Sequence, residues 1–350
     1  MQSQVQTEIS TLGEFGLIER ITQALPQFHE GTVLGVGDDC AILAPTTGTH
    51  TVVTTDMLME GVHFDLVYTP LKHLGYKAVA VNLSDIYAMN ATPRQLTVSI
   101  AIGRNFSIEM VEDLYAGMRY AAERFGVDII GGDTTSSFTG LAISITAIGE
   151  AAPDTIVRRS GARDTDLICV SGNLGAAFMG LQLLEREKAV FNTIANPTPE
   201  QASPDFAGRE YILERQLRPE PRADIVAALR EAGIQPTAMI DISDGLSSEL
   251  MHICKQSGTG CRIFEERIPL DYQTAAMAEE LNLNVTTCAL NGGEDYELLF
   301  TVPLTEHERV AALEDVRIIG HITRPELGLL LETRDGNELE LKAQGWNPLS

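Results

Sequence analysis

Six short segments of this chain set a carboxylate beside glycine or close to a hydroxyl side chain. They are Gly37-Asp38-Asp39, Thr54-Thr55-Asp56, Asn82-Leu83-Ser84-Asp85, Gly131-Gly132-Asp133, Asp241-Ile242-Ser243-Asp244 and Gly292-Gly293-Glu294-Asp295. Singly, each reads as a turn or a helix cap, because Asp bonds its own backbone and glycine permits positive φ. Together they imply more, since most fall where an apolar run stops and strand ends gather at one edge of a sheet. Ligands of open α/β sheets bind at such an edge. Carboxylates and hydroxyls without matching Cys or His are hard oxygen donors, suited to Mg²⁺ and not to zinc or copper. Mg²⁺ keeps several waters and bridges a few carboxylates to substrate phosphates, while neighbouring glycines let backbone N–H groups approach those phosphates. Carboxylates repel a polyphosphate, so the site requires several divalent ions between them.

The elements that must position these residues are legible as alternating helices and strands. Helical spacing covers Phe15 to Leu25 and is closed by Pro26. A β-branched strand, 51–55, stops at Asp56, and the helix Leu74–Met89 carries Asn82 and Asp85 three apart on one face. A strand at 96–102 and an amphipathic helix at 108–125 follow, with Gly126 placed to end the helix. The short strand 127–130 then runs out at Gly131, and 141–148 is another strand. In the second half, strand 166–170 leads to a helix over 176–185, and 192–208 reads as a surface loop. A helix is expected around 224–232, the strand 238–241 follows, and Ser243 and Asp244 stand where they would cap a helix at 246–256. A strand at 296–302 follows the last carboxylate motif. This order favours an α/β or α+β chain, and 350 residues favour two domains, placed at 1–150 and 151–350.

Acidic residues outnumber basic ones 49 to 25, and a net charge of −24 argues against nucleic acid or an anionic membrane as partner. No apolar run approaches membrane-spanning length, and the polar start lacks a secretory pattern, so a cytoplasmic location is expected. Five scattered cysteines without a C-x-x-C pair suit reduced, buried thiols. The P-loop and protein-kinase motifs are absent, and Gly35-Val36-Gly37-Asp38-Asp39-Cys40 only approximates a dinucleotide fingerprint.

Taken in order, the motifs resemble the thiamine-monophosphate kinase family. The resemblance is carried by Gly13-Glu14-Phe15, the six carboxylate segments, Gly61-Val62-His63-Phe64, Arg159-Ser160-Gly161-Ala162 and Gly292-Gly293-Glu294-Asp295-Tyr296-Glu297-Leu298, and it spans about residues 13 to 346. It implies the two-domain fold of aminoimidazole ribonucleotide synthetase-like proteins, with N-terminal sheets pairing across a homodimer. It also implies ATP and thiamine monophosphate as substrates. By motif, Asp39, Thr54, Thr55, Asp56, Asp85, Asp133, Asp241 and Asp244 correspond to ligands of a Mg²⁺ cluster. Gly132, Asp133, Arg159, Ser243 and, on a looser match, Tyr115 correspond to ATP contacts; His63, Glu294 and Trp346 correspond to the thiamine-phosphate side. The sequence departs from the pattern at Asn90, where the family has glycine, and in a longer 192–208 loop.

Without the resemblance, His63 reads better as an ordinary partly buried histidine than as a ligand contact. Trp346, the only tryptophan, is either a core plug or a platform for a cationic ring. Two rival readings carry distinct expectations. A sibling ATP-dependent enzyme of the same fold would use another acceptor. A catalytically inactive sensor would bind nucleotide or thiamine phosphate without turnover.

Overall fold

The computed structural model describes residues 7–36, 40–193 and 206–343. These fall into two compact units, one drawn from Met1–Ile86 and Ala91–Asp154, the other from Tyr87–Asn90 and Thr155–Ser350.

The first unit begins with α1 (Gly13–Thr22) and a small antiparallel ribbon of β1 (Thr32–Leu34) and β2 (Ile42–Leu43). Its main sheet holds β3 (His50–Met59), β4 (Thr92–Gly103), β5 (Asp128–Ser137) and β6 (Ala142–Ala151), in the order β3-β6-β4-β5. Only the β4–β5 pair is parallel. Along β6, buried Ile143, Ile145 and Ala147 alternate with half-buried residues, so one face lies on the core. On the edge strand β3, Val53 and Met57 are 61% and 58% exposed. Core cover comes from α2 (Leu71–Ala88) and α3 (Ile108–Phe125). The latter matches the expected span: Ser107 accepts the Met110 N–H at its start, and Gly126 is left-handed at its end. The two helices touch backbone to backbone. A Cβ at Gly75 would stand 2.0 Å from the Leu114 carbonyl oxygen, and one at Gly117 would stand 1.9 Å from that of Lys72.

Two expected strand ends are not ends. β3 continues past Asp56 to Met59, and β5 runs through Gly131, Gly132 and Asp133 to Ser137. The glycines do not stop β5, because Gly132 lies so close to β4 that a Cβ would meet the Val98 carbonyl oxygen at 1.7 Å. Absence of a side chain is what allows the pairing there.

The second unit is built on a seven-stranded sheet. Its elements in chain order are β7 (Leu167–Ser171), α4 (Ala176–Thr193), α5 (Glu210–Leu217), α6 (Ala223–Glu231), β8 (Ala238–Asp241), α7 (Leu246–Ser257), β9 (Gly260–Phe264), α8 (Tyr272–Glu280), α9 (Val285–Asn291), β10 (Leu298–Val302), α10 (His307–Ala311), β11 (Val316–Thr323), β12 (Leu329–Glu332) and β13 (Glu338–Glu340). The strand order is β13-β12-β9-β11-β7-β10-β8, antiparallel except for β12 beside β9. Ile168, Val170, Ile240, Leu299 and Ile319 pack with Leu250 and Ile253 of α7 in the core. The expected loop at 192–208 begins later than Asn192, since α4 runs to Thr193; its residues 194–205 lie outside the described ones. Asn90 takes φ 54, as its place in a glycine position requires, and its side chain is held by the Thr155 carbonyl and by Arg230.

Cys169, Cys254, Cys261 and Cys288 are buried, but Cys40 is exposed, so the expectation of buried thiols fails there. Cys40 precedes β2 and lies on no strand that would turn it inward. Among the described residues, no helix is long and apolar enough to cross a membrane.

Candidate active site

In the first unit, alternation along β3 sends Thr54 and Asp56 to the face that meets α2. The Thr54 hydroxyl donates to Asp85 Oδ2 at 2.5 Å, and the Asp56 N–H donates to Asn82 Oδ1 at 3.1 Å. Asn82 and Asp85, three residues apart on α2, thus both reach the edge strand. Burial, with the Asp85 charge adding to it, pushes the Asp56 carboxyl up to about 6. Thr55 points to the opposite face, where its hydroxyl donates to the Ile145 carbonyl at 3.0 Å and accepts from Thr146.

Gly132 and Asp133 are exposed on β5, at the other edge of the sheet. The register aligns Asp56 with Ile145, Val98 and Gly132. Three strand spacings separate β3 from β5, a span of about 14 Å. The sheet therefore does not bring Asp133 to Asp56 and Asp85. His63 follows β3 in a tight turn, with its Nδ1 accepting the Met59 N–H at 3.0 Å; the neutral ring then carries its hydrogen on Nε2. Tyr115 is only 4% exposed on the inner face of α3, and burial pushes its phenol well above the ordinary range. Asp39 and Trp346 lie outside the described residues. A cavity of about 590 Å³ opens beside β5 next to Asp133, lined by Leu17, Ile102, Arg104, Phe106, Thr134 and Ser136 among others. None of the expected site residues lines it.

In the second unit, the motifs around Ser243 and Glu294 are joined through their main chains. Ile242 N–H donates to the Glu297 carbonyl, Glu294 N–H to that of Ser243 at 2.7 Å, and Tyr296 N–H to that of Ile242 at 2.9 Å. Gly293 takes φ 70, and a Cβ on it would lie 2.6 Å from the Ser243 carbonyl oxygen, so only glycine permits this approach. Asp241 is buried at the end of β8, whereas Ser243 and Asp244 are exposed. The expected capping by Ser243 or Asp244 does not occur. Gly245 is the N-cap of α7 without a side-chain cap, and Glu249 reaches back from the helix to accept the Asp244 N–H at 3.1 Å. Burial pushes the Glu249 carboxyl up to about 8, and the charges of Asp244 and Asp241 reinforce this.

The Glu294 carboxylate accepts from Gln216 Nε2 at 2.9 Å. Behind it, buried Glu297 pairs with Arg215 at 2.8 Å, with Arg222 and with the Ser171 hydroxyl. Asp295 accepts the Gly175 N–H at 2.7 Å. Arg159 is exposed, on a stretch whose Arg158 carbonyl accepts the Met239 N–H of β8. Glu249 and Gln216 were not foreseen. A carboxylate in the first turn of a helix is the sequence signal for such a backward reach, but Gln216 is separated from Glu294 by 78 residues and carries no signal.

Donor chemistry tests whether a magnesium ion suits these residues. The candidate ligands are oxygen donors, and the Asp56 carboxyl, raised first by burial and then by the Asp85 charge, is one whose charged form a divalent cation would favour. Among the described residues, no three His, Cys, Asp or Glu side chains could hold a metal by themselves.

Residues 37–151 match the family model for AIR synthase related protein, N-terminal domain. This marks residues 37–151, which hold β3 to β6, as an AIR synthase-like domain. Thiamine-monophosphate kinase of Bacillus subtilis (strain 168) is 34% identical over 342 residues, covering 96% of this chain and 99% of its own. A crystal structure of thiamine-monophosphate kinase from Stenotrophomonas maltophilia K279a matches with TM-score 0.77 and 32% identity, over 94% of this chain and 98% of that one. A structure of AaThiL complexed with AMPPCP and TMP matches with TM-score 0.72 and 32% identity, over 98% and 99%. The chain belongs to the thiamine-monophosphate kinase family.

Proposed function

We propose that this protein transfers the terminal phosphate of ATP to thiamine monophosphate, giving thiamine diphosphate and ADP. The observation that carries the reading is the full-length likeness to a relative complexed with AMPPCP, an ATP analogue, and TMP, on a chain whose exposed and half-buried acids suit phosphate-bound Mg²⁺. Thr54, Asp56 and Asp85 would hold ions at the β3 edge of the first unit's sheet, Asp133 at its β5 edge, and Asp241 and Asp244 in the second unit; Thr55 and Asp39 are further ligands by motif. Bound magnesium supplies neutralisation of the polyphosphate and of the acceptor. Gly132, Asp133, Arg159 and Ser243 take the nucleotide, while Tyr115 is buried in the core of the first unit. The His63 Nε2–H, Glu294 and Trp346 take the thiamine phosphate. The acceptor oxygen needs no general base, because a phosphomonoester with a second pKa near 6 is already mostly dianionic at neutral pH. The chain's part is to position and neutralise for an in-line displacement, with no phosphoenzyme.

The N-terminal unit carries Gly132, Asp133, His63 and the acids of β3 and α2, and the C-terminal unit carries Arg159, Asp241, Ser243, Asp244 and Glu294. The open face of the β3-β6-β4-β5 sheet, with Val53 and Met57, joins a second copy into a homodimer working in the cytoplasm. A coupled ADP assay with ATP and Mg²⁺, run with thiamine monophosphate, with thiamine and with neither, tests the activity. ADP formed only with the monophosphate, and lost in Asp133→Ala, is the expected result. ADP formed with neither acceptor would make the protein a sibling ATPase, and ATP binding without turnover would make it a sensor.

A further inference from the structure

We infer that Glu249 is a positioning residue, whose buried carboxylate fixes the main chain of Asp244 and so presents that exposed carboxylate to a divalent cation in one orientation. This rests on the reading of Asp244 as an ion ligand. Glu249 is 1% exposed. Its Oε1 accepts the Asp244 N–H, while Oε2 is buried with no hydrogen-bond partner. A carboxylate so placed is a poor choice for stability, because an apolar side chain of similar volume would fill the site without an orphaned oxygen. Its retention calls for another account, and its hydrogen bond to Asp244 supplies one.

The local geometry leaves few other ways to hold that N–H. Gly245, the N-cap, takes φ 119, and a Cβ there would lie 2.8 Å from both Asn291 Cα and the Leu290 carbonyl oxygen. No side chain can therefore be supplied from the cap position. Ser243 and Asp244 are exposed and give no side-chain cap. Glu249 reaches in from the first turn of α7, whose main chain is fixed by Ser248 N–H and Glu249 N–H on the Gly245 carbonyl. On the other side, Ser243 is fixed by the Glu294 N–H. Asp244 is held between a helix start and a loop whose main chains are both hydrogen-bonded, which is the support that ion ligands require of their neighbours.

Mn²⁺ titration of the full-length protein, followed by the EPR signal of free ion without nucleotide, tests this in wild type, Glu249→Leu, Glu249→Gln and Asp244→Asn. Glu249→Leu is expected to melt near wild type yet weaken, by about tenfold, the class of Mn²⁺ sites that Asp244→Asn removes. Glu249→Gln keeps an oxygen for the Asp244 N–H and is expected to bind within a few-fold of wild type. Wild-type binding by Glu249→Leu, beside a defective Asp244→Asn, would overturn the inference. So would a Glu249→Gln as weak as Glu249→Leu, since charge and not positioning would then be at issue. Should Glu249→Leu not fold, Glu249→Met takes its place with the same expectations. Unchanged binding in Asp244→Asn would instead remove the underlying reading of Asp244.

Discussion

Asp295 has no contact with solvent, and burial pushes its carboxyl up to about 7 against the opposing pull of Arg215 and the Gly175 N–H. The folded chain keeps this proton while the unfolded chain releases it near the ordinary 3.8. Stability from the protonated form is therefore complete below about pH 4 and is lost as pH rises through 7, by at most roughly 4 kcal/mol. Melting curves from pH 4.5 to 7.5 should show Asp295→Asn losing less stability than wild type across that interval. Equal slopes would mean that Asp295 is ionised throughout. Glu294, its neighbour, calls for a kinetic test instead. In Gln216→Leu the Glu294 carboxylate loses a partner 2.9 Å away, and the KM for thiamine monophosphate should rise about five- to tenfold, as loss of one hydrogen bond worth about 1 kcal/mol implies. The KM for ATP should hold, and a rise in both would point to a general collapse of the loop.

At the scale of elements, the crossing of α2 over α3 fixes where Asp85 stands. A methyl at Gly75 has no space against the Leu114 carbonyl, so Gly75→Ala should cost about 2 kcal/mol or more by forcing the helices apart. It should also lower kcat, because Asn82 and Asp85 ride on the displaced helix; a calorimetric scan with steady-state rates checks both. The helix at 108–125 was legible in full, because an N-cap serine and a C-terminal glycine bracket one amphipathic stripe. The pairing of Asn82 with Asp85 was legible from spacing alone. The true ends of β3 and β5 were not, since glycine and aspartate ordinarily mark turns and only the nearby Val98 backbone shows why Gly132 lies inside a strand. The strands β9 and β11 to β13 went unread, as did the helices α5, α8, α9 and α10, because packing in the second unit decides them and not local pattern. Of the site, the residue types were readable in order, whereas the Glu249 and Gln216 supports arise from chain folding back on itself.

For the whole molecule, the open face of the four-stranded sheet makes a direct prediction. Lysines at Val53 and Met57 would put two charges on that face, so the double variant should run as a monomer in light scattering where wild type runs as a dimer. A monomeric wild type at micromolar concentration would remove the dimer reading. The sheet has a second property: Asp56 and Asp133 sit at opposite edges, about 14 Å apart. If the open faces of two such sheets meet about a two-fold axis, β3 of one copy comes beside β5 of the other, and a complete set of acids can draw Asp56 from one copy and Asp133 from the other. Two crippled versions of the gene would then rescue one another. Asp56→Ala and Asp133→Ala, each dead alone, would on co-expression recover about a quarter of wild-type activity, since half of randomly formed pairs are mixed and each keeps one sound site of two. No recovery would mean that both carboxylates serve a centre within a single chain.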